Sequence, residues 1–209
     1  MFFSNLVFEI IEKGGPIMWP IIVVSVAAVC VIVERAIWWT HTTARRNSRQ
    51  VDRVFDLLQA GDDKAALAAT AGAKDPVIRV LHQGISHPHG AMEGALEAAA
   101  GAELRQAGRF LSAMDTIVTL GPLLGLLGTV TGIMGSFTSI GSAELAVEKV
   151  TGGIGEALIA TAAGLGIAIV TLIPMNFFHS RLASLQFDLE SAANHLLILF
   201  SKRAAGSDA

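Results

Sequence analysis

Residues 117–140 read IVTLGPLLGLLGTVTGIMGSFTSI, and no charged residue interrupts them. At about 1.5 Å per helical residue, such a run can cross a hydrocarbon core of about 30 Å. It is not an ordinary greasy span. Gly121, Gly125, Gly128, Gly132 and Gly135 recur at alternating spacings of four and three, which on a helix puts five glycines on one stripe. Lipid tails provide no hydrophobic push between helices, so a glycine stripe serves close van der Waals packing. Thr129 flanks it, adjacent to Gly125 and Gly132 by helical spacing. On residue types alone, the stretch reads as a tightly packed membrane helix whose threonine bonds back to its own preceding turn.

The rest of the chain has the same character. Of its 209 residues, 52% are apolar, and the mean hydropathy of +0.56 is high for a soluble domain. Charged residues make up 16% and are segregated rather than spread. The formal charge of −3 argues against nucleic acid as a main partner. Cys30 stands alone inside an apolar run, so it cannot form an internal disulfide and reads as a small buried hydrophobe. The opening MFFSNLVFEIIEK carries Glu9 and Glu12 where a cleavable signal would be basic, and no small-residue cleavage site follows.

These features predict an all-α integral membrane protein, with three transmembrane helices extended into a cytoplasmic helical bundle. Residues 1–16 read as a short amphipathic segment in the membrane interface, ending at Gly14-Gly15-Pro16. The first span covers 17–39, with Pro20 tolerated in its first turn and Trp38 and Trp39 suited to the headgroup layer. Glu34 reads as a partner of Arg35 or a snorkelling group, in preference to an ion-transfer role. Residues 40–112 form a polar helical loop. Val51, Val54, Phe55 and Leu58 mark one amphipathic face, Gly61 ends that helix, and Pro76 opens another. An alanine-rich helix from Ala91 to Ser112 is expected to run straight into the second span, 113–140. His82, His87 and His89 match no zinc spacing, and no cysteine or acid completes a set, so no metal and no other cofactor is expected. Residues 141–152 make a short connection to the third span, 153–178, where Pro174 is expected to kink the helix. The closing segment, 179–209, carries Leu182, Leu185, Leu189, Ala192, Leu196 and Leu199 at heptad-like spacing, a stripe for the loop helices or for a neighbouring subunit.

Orientation follows from basic residues. The loop holds Arg45, Arg46, Arg49, Arg53, Lys64, Lys74, Arg79, Arg105 and Arg109, and the tail adds Arg181, Lys202 and Arg203. The N-terminus has only Lys13, and the 141–152 connection only Lys149. The positive-inside rule then places the loop and tail in the cytoplasm and the N-terminus outside.

Within this frame Glu156 stands out. It is the one acid between the start of the second apolar stretch and His179 that lies inside an apolar run. A carboxylate at a membrane helix centre costs roughly 2.5–3.5 kcal/mol on the insertion scale, so such groups face a bundle interior or a water-filled cavity. Glu156 reads equally as a proton carrier near the outer mouth of the third span or as a surface group at a helix N-terminus. Thr161 lies about 7.5 Å deeper and is rotated by about 140° from it, so the two cannot share one narrow stripe. Thr129 and Thr161 reach comparable depths, and their hydroxyls can hold water chains or a partner's carboxylate. Gly153, Ala157, Ala160, Gly164, Ala168 and Thr171 form a second small-residue stripe.

The wording GPLLGLLGTVTGIMGSF, with GGIGEALIATAAGLGIAI at 152–169, GGPIMWPIIVVSVAAVCVIVERAIWW at 14–39 and DPVIRVLHQGI at 75–85, resembles the ExbB and TolQ branch of the MotA/TolQ/ExbB proton-channel family. A MotA-type subunit would have four spans and a longer loop. The resemblance implies an ion pathway through Thr129 of the GTV motif, Glu156 of GI-x-EAL and Thr161 of the following ATA. It also implies an inner-membrane homopentamer around a dimer of a single-span ExbD- or TolR-like partner, which drives a TonB- or TolA-like protein. Two positions depart from the family pattern. Gly152 stands where a proline often precedes GI-x-EAL, and Val170 follows the AI of the third span where a proline is common, with Pro174 four residues later. No phosphate-binding loop, nucleophile elbow or metal-ligand set suggests an enzyme. The other readings are a non-conducting structural scaffold and a MotA-like stator subunit. A secondary transporter is disfavoured by the lack of an internal repeat.

Overall fold

The computed structural model describes residues 14–138 and 143–207. Their elements are all helical: α1 (Met18–Ala44), α2 (Ser48–Gln59), α3 (Asp63–Thr70), α4 (Pro76–Ser86), α5 (His89–Ala107), α6 (Leu111–Thr138) and α7 (Ala143–Ser207). Three stretches are long and apolar enough to cross a membrane, one in α1, one ending in α6 and one in α7. Most of the amphipathic segment expected at 1–16 lies outside the described residues.

The chain forms two compact units. The first contains the start of α1, all of α6 and α7 as far as Phe177. In it, α6 and α7 pack as an antiparallel pair at backbone distance. A Cβ on Gly121 would stand 2.8 Å from the Gly164 carbonyl oxygen, and one on Gly125 would stand 2.9 Å from the Thr161 Cα. One on Gly128 would meet the Ala160 Cβ at 2.5 Å, and one on Gly132 the Ala157 Cβ at 3.2 Å. Gly164 is equally confined, by the backbone of Gly121 and Gly125. The first helix closes over this seam through Met18 and Ile21, buried with Ala160 and flanked by Ile17, Leu124 and Ala163. Side chains facing away from the seam are large and apolar yet exposed, among them Val23, Val26, Leu123, Phe137, Leu158 and Ile173. Helices apolar on every face belong in lipid or against further helices.

The second unit contains the end of α1, helices α2 to α5 and α7 from Phe178. Its short helices start on side-chain caps. Asn47 Oδ1 accepts from Gln50 N–H at 3.2 Å, and Asp62 Oδ1 from Ala65 N–H at 2.9 Å. Asp75, 2% exposed, ties two helix starts together. Its carboxylate accepts from Val77 N–H at the head of α4 and from Asn47 N–H at the head of α2. Such caps satisfy N–H groups that have no partner within the helix. Leu185, Leu189, Ala192 and Leu196 are buried, and a Cβ on Gly84 would strike the side chains of both Leu96 and Leu196. His195 stacks on Phe55 with ring centroids 4.3 Å apart. The leucine stripe of the closing segment therefore packs on the loop helices.

Two expectations are revised. The alanine-rich helix does not run into the second span: α5 stops at Ala107, and α6 begins at Leu111. Between them Phe110 takes φ +65, a left-handed conformation uncommon outside glycine. The connection expected at 141–152 is helical from Ala143, and Pro174 lies inside the same helix α7. Arg35, near the far end of α1, is 1% exposed. Its Nη1 donates to the carbonyls of Gln106 at 3.1 Å and Ala107 at 3.4 Å, and its guanidinium lies over the Trp38 ring. These are carbonyls of the last turn of α5, where a cation also complements the helix dipole.

Candidate functional site

Glu156 lies on α7 facing the end of α6 and the turn before α1. Its half-buried side chain opens on a cleft of about 670 Å³ lined by Pro16, Ile17, Thr131, Gly132, Ser136 and Gly153, among others. The walls can come this close because they are small. A Cβ on Gly153 would overlap the Ser136 hydroxyl, and Gly132 packs on the Gly153 carbonyl. Both hydroxyls in the wall are turned to their own helix. Ser136 Oγ donates to the Gly132 carbonyl at 2.9 Å, and Thr131 Oγ1 lies within bonding distance of the carbonyls of Leu127 and Gly128. Among the described residues the Glu156 carboxylate has no hydrogen bond or ion pair. Nor does it sit at a helix end. The helix starts at Ala143, more than three turns earlier, and the dipole's effect fades within the first turn.

The turn ahead of α1 touches the carboxylate directly. Gly15 has φ +69, and a Cβ there would overlap the Glu156 carboxyl group and stand 3.0 Å from its Cγ. Sequence patterns alone assign no site role to Gly15, Thr131 or Ser136. The available signals were the Gly-Gly-Pro turn and the second threonine of the TVT motif.

The two other polar residues of interest lie deeper. Thr161 Oγ1 donates across the helix pair to the Gly125 carbonyl at 2.9 Å. Thr129 Oγ1 donates to the Leu126 carbonyl in its own helix at 2.6 Å. Gly125 is one turn from Thr129, so the two hydroxyls lie on adjacent turns of the same seam. Neither lines the Glu156 cleft. The structure thus places Thr129 and Thr161 one turn apart along the pair and leaves Glu156 nearer its end. Of the glycine stripe, Gly121, Gly125, Gly128 and Gly132 face α7, whereas a Cβ on Gly135 would meet nothing within 4 Å.

In the other unit, His82 Nδ1 pairs with the Thr70 hydroxyl at 2.8 Å and His87 Nδ1 with the Gln83 carbonyl at 2.7 Å. Among the described residues, no three His, Cys, Asp or Glu side chains converge on a point that could hold a metal ion.

The sequence has known relatives. Residues 72–191 match the MotA/TolQ/ExbB proton channel family. The chain is 39% identical over 178 residues to the putative biopolymer transport protein ExbB-like 3 of Synechocystis sp., covering 80% of this chain and 82% of that one. It is 34% identical over 197 residues to ExbB-like 1 of the same organism, covering 90% and 76%. The biopolymer transport protein ExbB of Neisseria gonorrhoeae matches at 34% over 87 residues, 41% of this chain and 40% of its own length.

Proposed function

The chain belongs to the MotA/TolQ/ExbB proton channel family, and from that premise we propose that it is the ring-forming stator subunit of an inner-membrane motor coupling proton influx to mechanical work. One observation carries the reading. Glu156 is a carboxylate within a membrane-length helix, more than three turns from its start and beside a cleft walled by small residues, with no hydrogen-bond or ion-pair partner among the described residues. A packing scaffold has no use for such a costly group, whereas a proton path needs a site that can be charged and neutral in turn. Thr129 and Thr161 would shape the polar route beneath it.

The family supplies the expected partners: a single-span ExbD- or TolR-like protein carrying a membrane aspartate, and a TonB- or TolA-like protein as the driven element. A homopentamer around a dimer of that partner is the expected assembly. Exposed apolar faces on all three membrane helices leave surface for lipid and for neighbouring copies.

The test is proton flux into vesicles holding the complete complex. Glu156→Gln keeps size and polarity but cannot titrate. It should assemble normally and lose nearly all flux. A Glu156→Gln complex that assembles and conducts like the parent would make the carboxylate structural and favour the non-conducting scaffold.

A further inference from the structure

We infer that Gly15 is a positioning residue for the Glu156 carboxyl group, the Gly14-Gly15-Pro16 turn acting as a fixed stop against which that side chain is held. The inference rests on the reading of Glu156 as the proton-carrying group. Two independent constraints meet at Gly15. Its φ of +69 lies where L side chains carry a steric cost. The space a Cβ would occupy is filled by the carboxyl group itself, with Cγ at 3.0 Å. The turn is also anchored. Met18 N–H donates to the Gly15 carbonyl at 3.1 Å and Trp19 N–H to that of Pro16 at 3.3 Å. Met18 is buried against Ala160, one turn further along the helix that carries Glu156. The stop and the carboxylate therefore belong to one packed body. Among the described residues no hydrogen bond holds the carboxyl, and Gly15 bounds it by contact on this side. A proton-transfer group needs a defined position, because an ångström of misplacement can cost on the order of a hundredfold in rate.

Gly15→Ala places a methyl group where the carboxyl sits. Flux through the complete complex in vesicles should fall by about a hundredfold. Pairing it with Glu156→Asp, whose carboxyl is one methylene shorter, should restore flux above that of Gly15→Ala alone. Thermal unfolding of the assembled complex separates the contact from the backbone cost. Gly15→Ala should lower the melting temperature clearly in the parent and much less in a Glu156→Ala background, where only the φ cost remains. Parental flux in Gly15→Ala, or equal melting shifts in the two backgrounds, would overturn the inference. If Gly15→Ala alone fails to assemble, assembly of Gly15→Ala/Glu156→Ala supports the contact, and failure of that pair overturns it. These outcomes are distinct from failure of the underlying reading, which shows as normal flux in Glu156→Gln.

Discussion

Thr161 and Thr129 differ in what their hydroxyls hold. Thr161 donates across the seam to Gly125, so removing its hydroxyl removes a link between two helices. Thr129 donates to Leu126 of its own turn, and its removal frees a carbonyl without loosening the pair. Interhelical hydrogen bonds in membrane proteins average about 0.6 kcal/mol, with a maximum near 1.7 kcal/mol. Thr161→Val should therefore destabilise the complex by about 0.6–1.7 kcal/mol, with Thr161→Ser close to the parent. Thr129→Val should unfold like the parent. If both threonines shape the proton route, both valine variants also reduce flux at normal expression. Unfolding and flux measured on the same preparations separate the two roles. A parental melting curve for Thr161→Val would mean that the bond to Gly125 contributes nothing. The pairing of Thr161 with Gly125 was not legible in the sequence, because only equal depth could be counted from the span ends, not which side chain faced which carbonyl.

At the level of elements, the seam between α6 and α7 depends on glycine where three helices meet. A Cβ at Gly128 would lie 2.5 Å from that of Ala160 and 2.8 Å from Cγ2 of Ile17. Gly128→Leu should separate the helices and abolish the intact oligomer, read as mass in detergent. Gly135→Ala enters open space and should unfold at the parental temperature. An intact oligomer carrying Gly128→Leu would contradict the packing account. Spacing alone located the stripe, since 3.6-residue periodicity projects directly onto a helix face. It did not locate where contact ends, because Gly132 and Gly135 are the same residue type and only the course of α7 distinguishes them. The break at Gly108–Phe110 was hidden for a related reason. Phenylalanine carries no turn signal, and the one stop signal present, Gly108 after Arg105 in the last turn of α5, stands inside an otherwise continuous helical pattern. The bonds from Arg35 to the carbonyls of Gln106 and Ala107 were not legible either, because sequence order does not disclose partners so remote along the chain.

For the whole molecule, the remaining question is which way the three spans are threaded. An odd number of spans puts the two ends on opposite faces, so a single determination fixes every segment. Nine lysines and arginines lie between positions 45 and 109, against Lys149 alone in the 141–152 connection. Acids in the same polar segment, such as Asp52, Asp56, Asp62 and Asp63, lower its net charge. Some of its arginines are paired, as Arg46 is with Asp188. Neither fact weakens the argument, because orientation follows the count of basic residues near the span ends and acids contribute little. Ser48 and Ser86 are both exposed, and they flank the segment that the rule places inside. In a Cys30→Ser background, Ser48→Cys and Ser86→Cys should resist a membrane-impermeant thiol reagent added to intact cells and react once the cells are opened. Ready labelling in intact cells would reverse the threading. Glu156 would then lie near the inner mouth, and the proton influx proposed above would have to reach it from the opposite side.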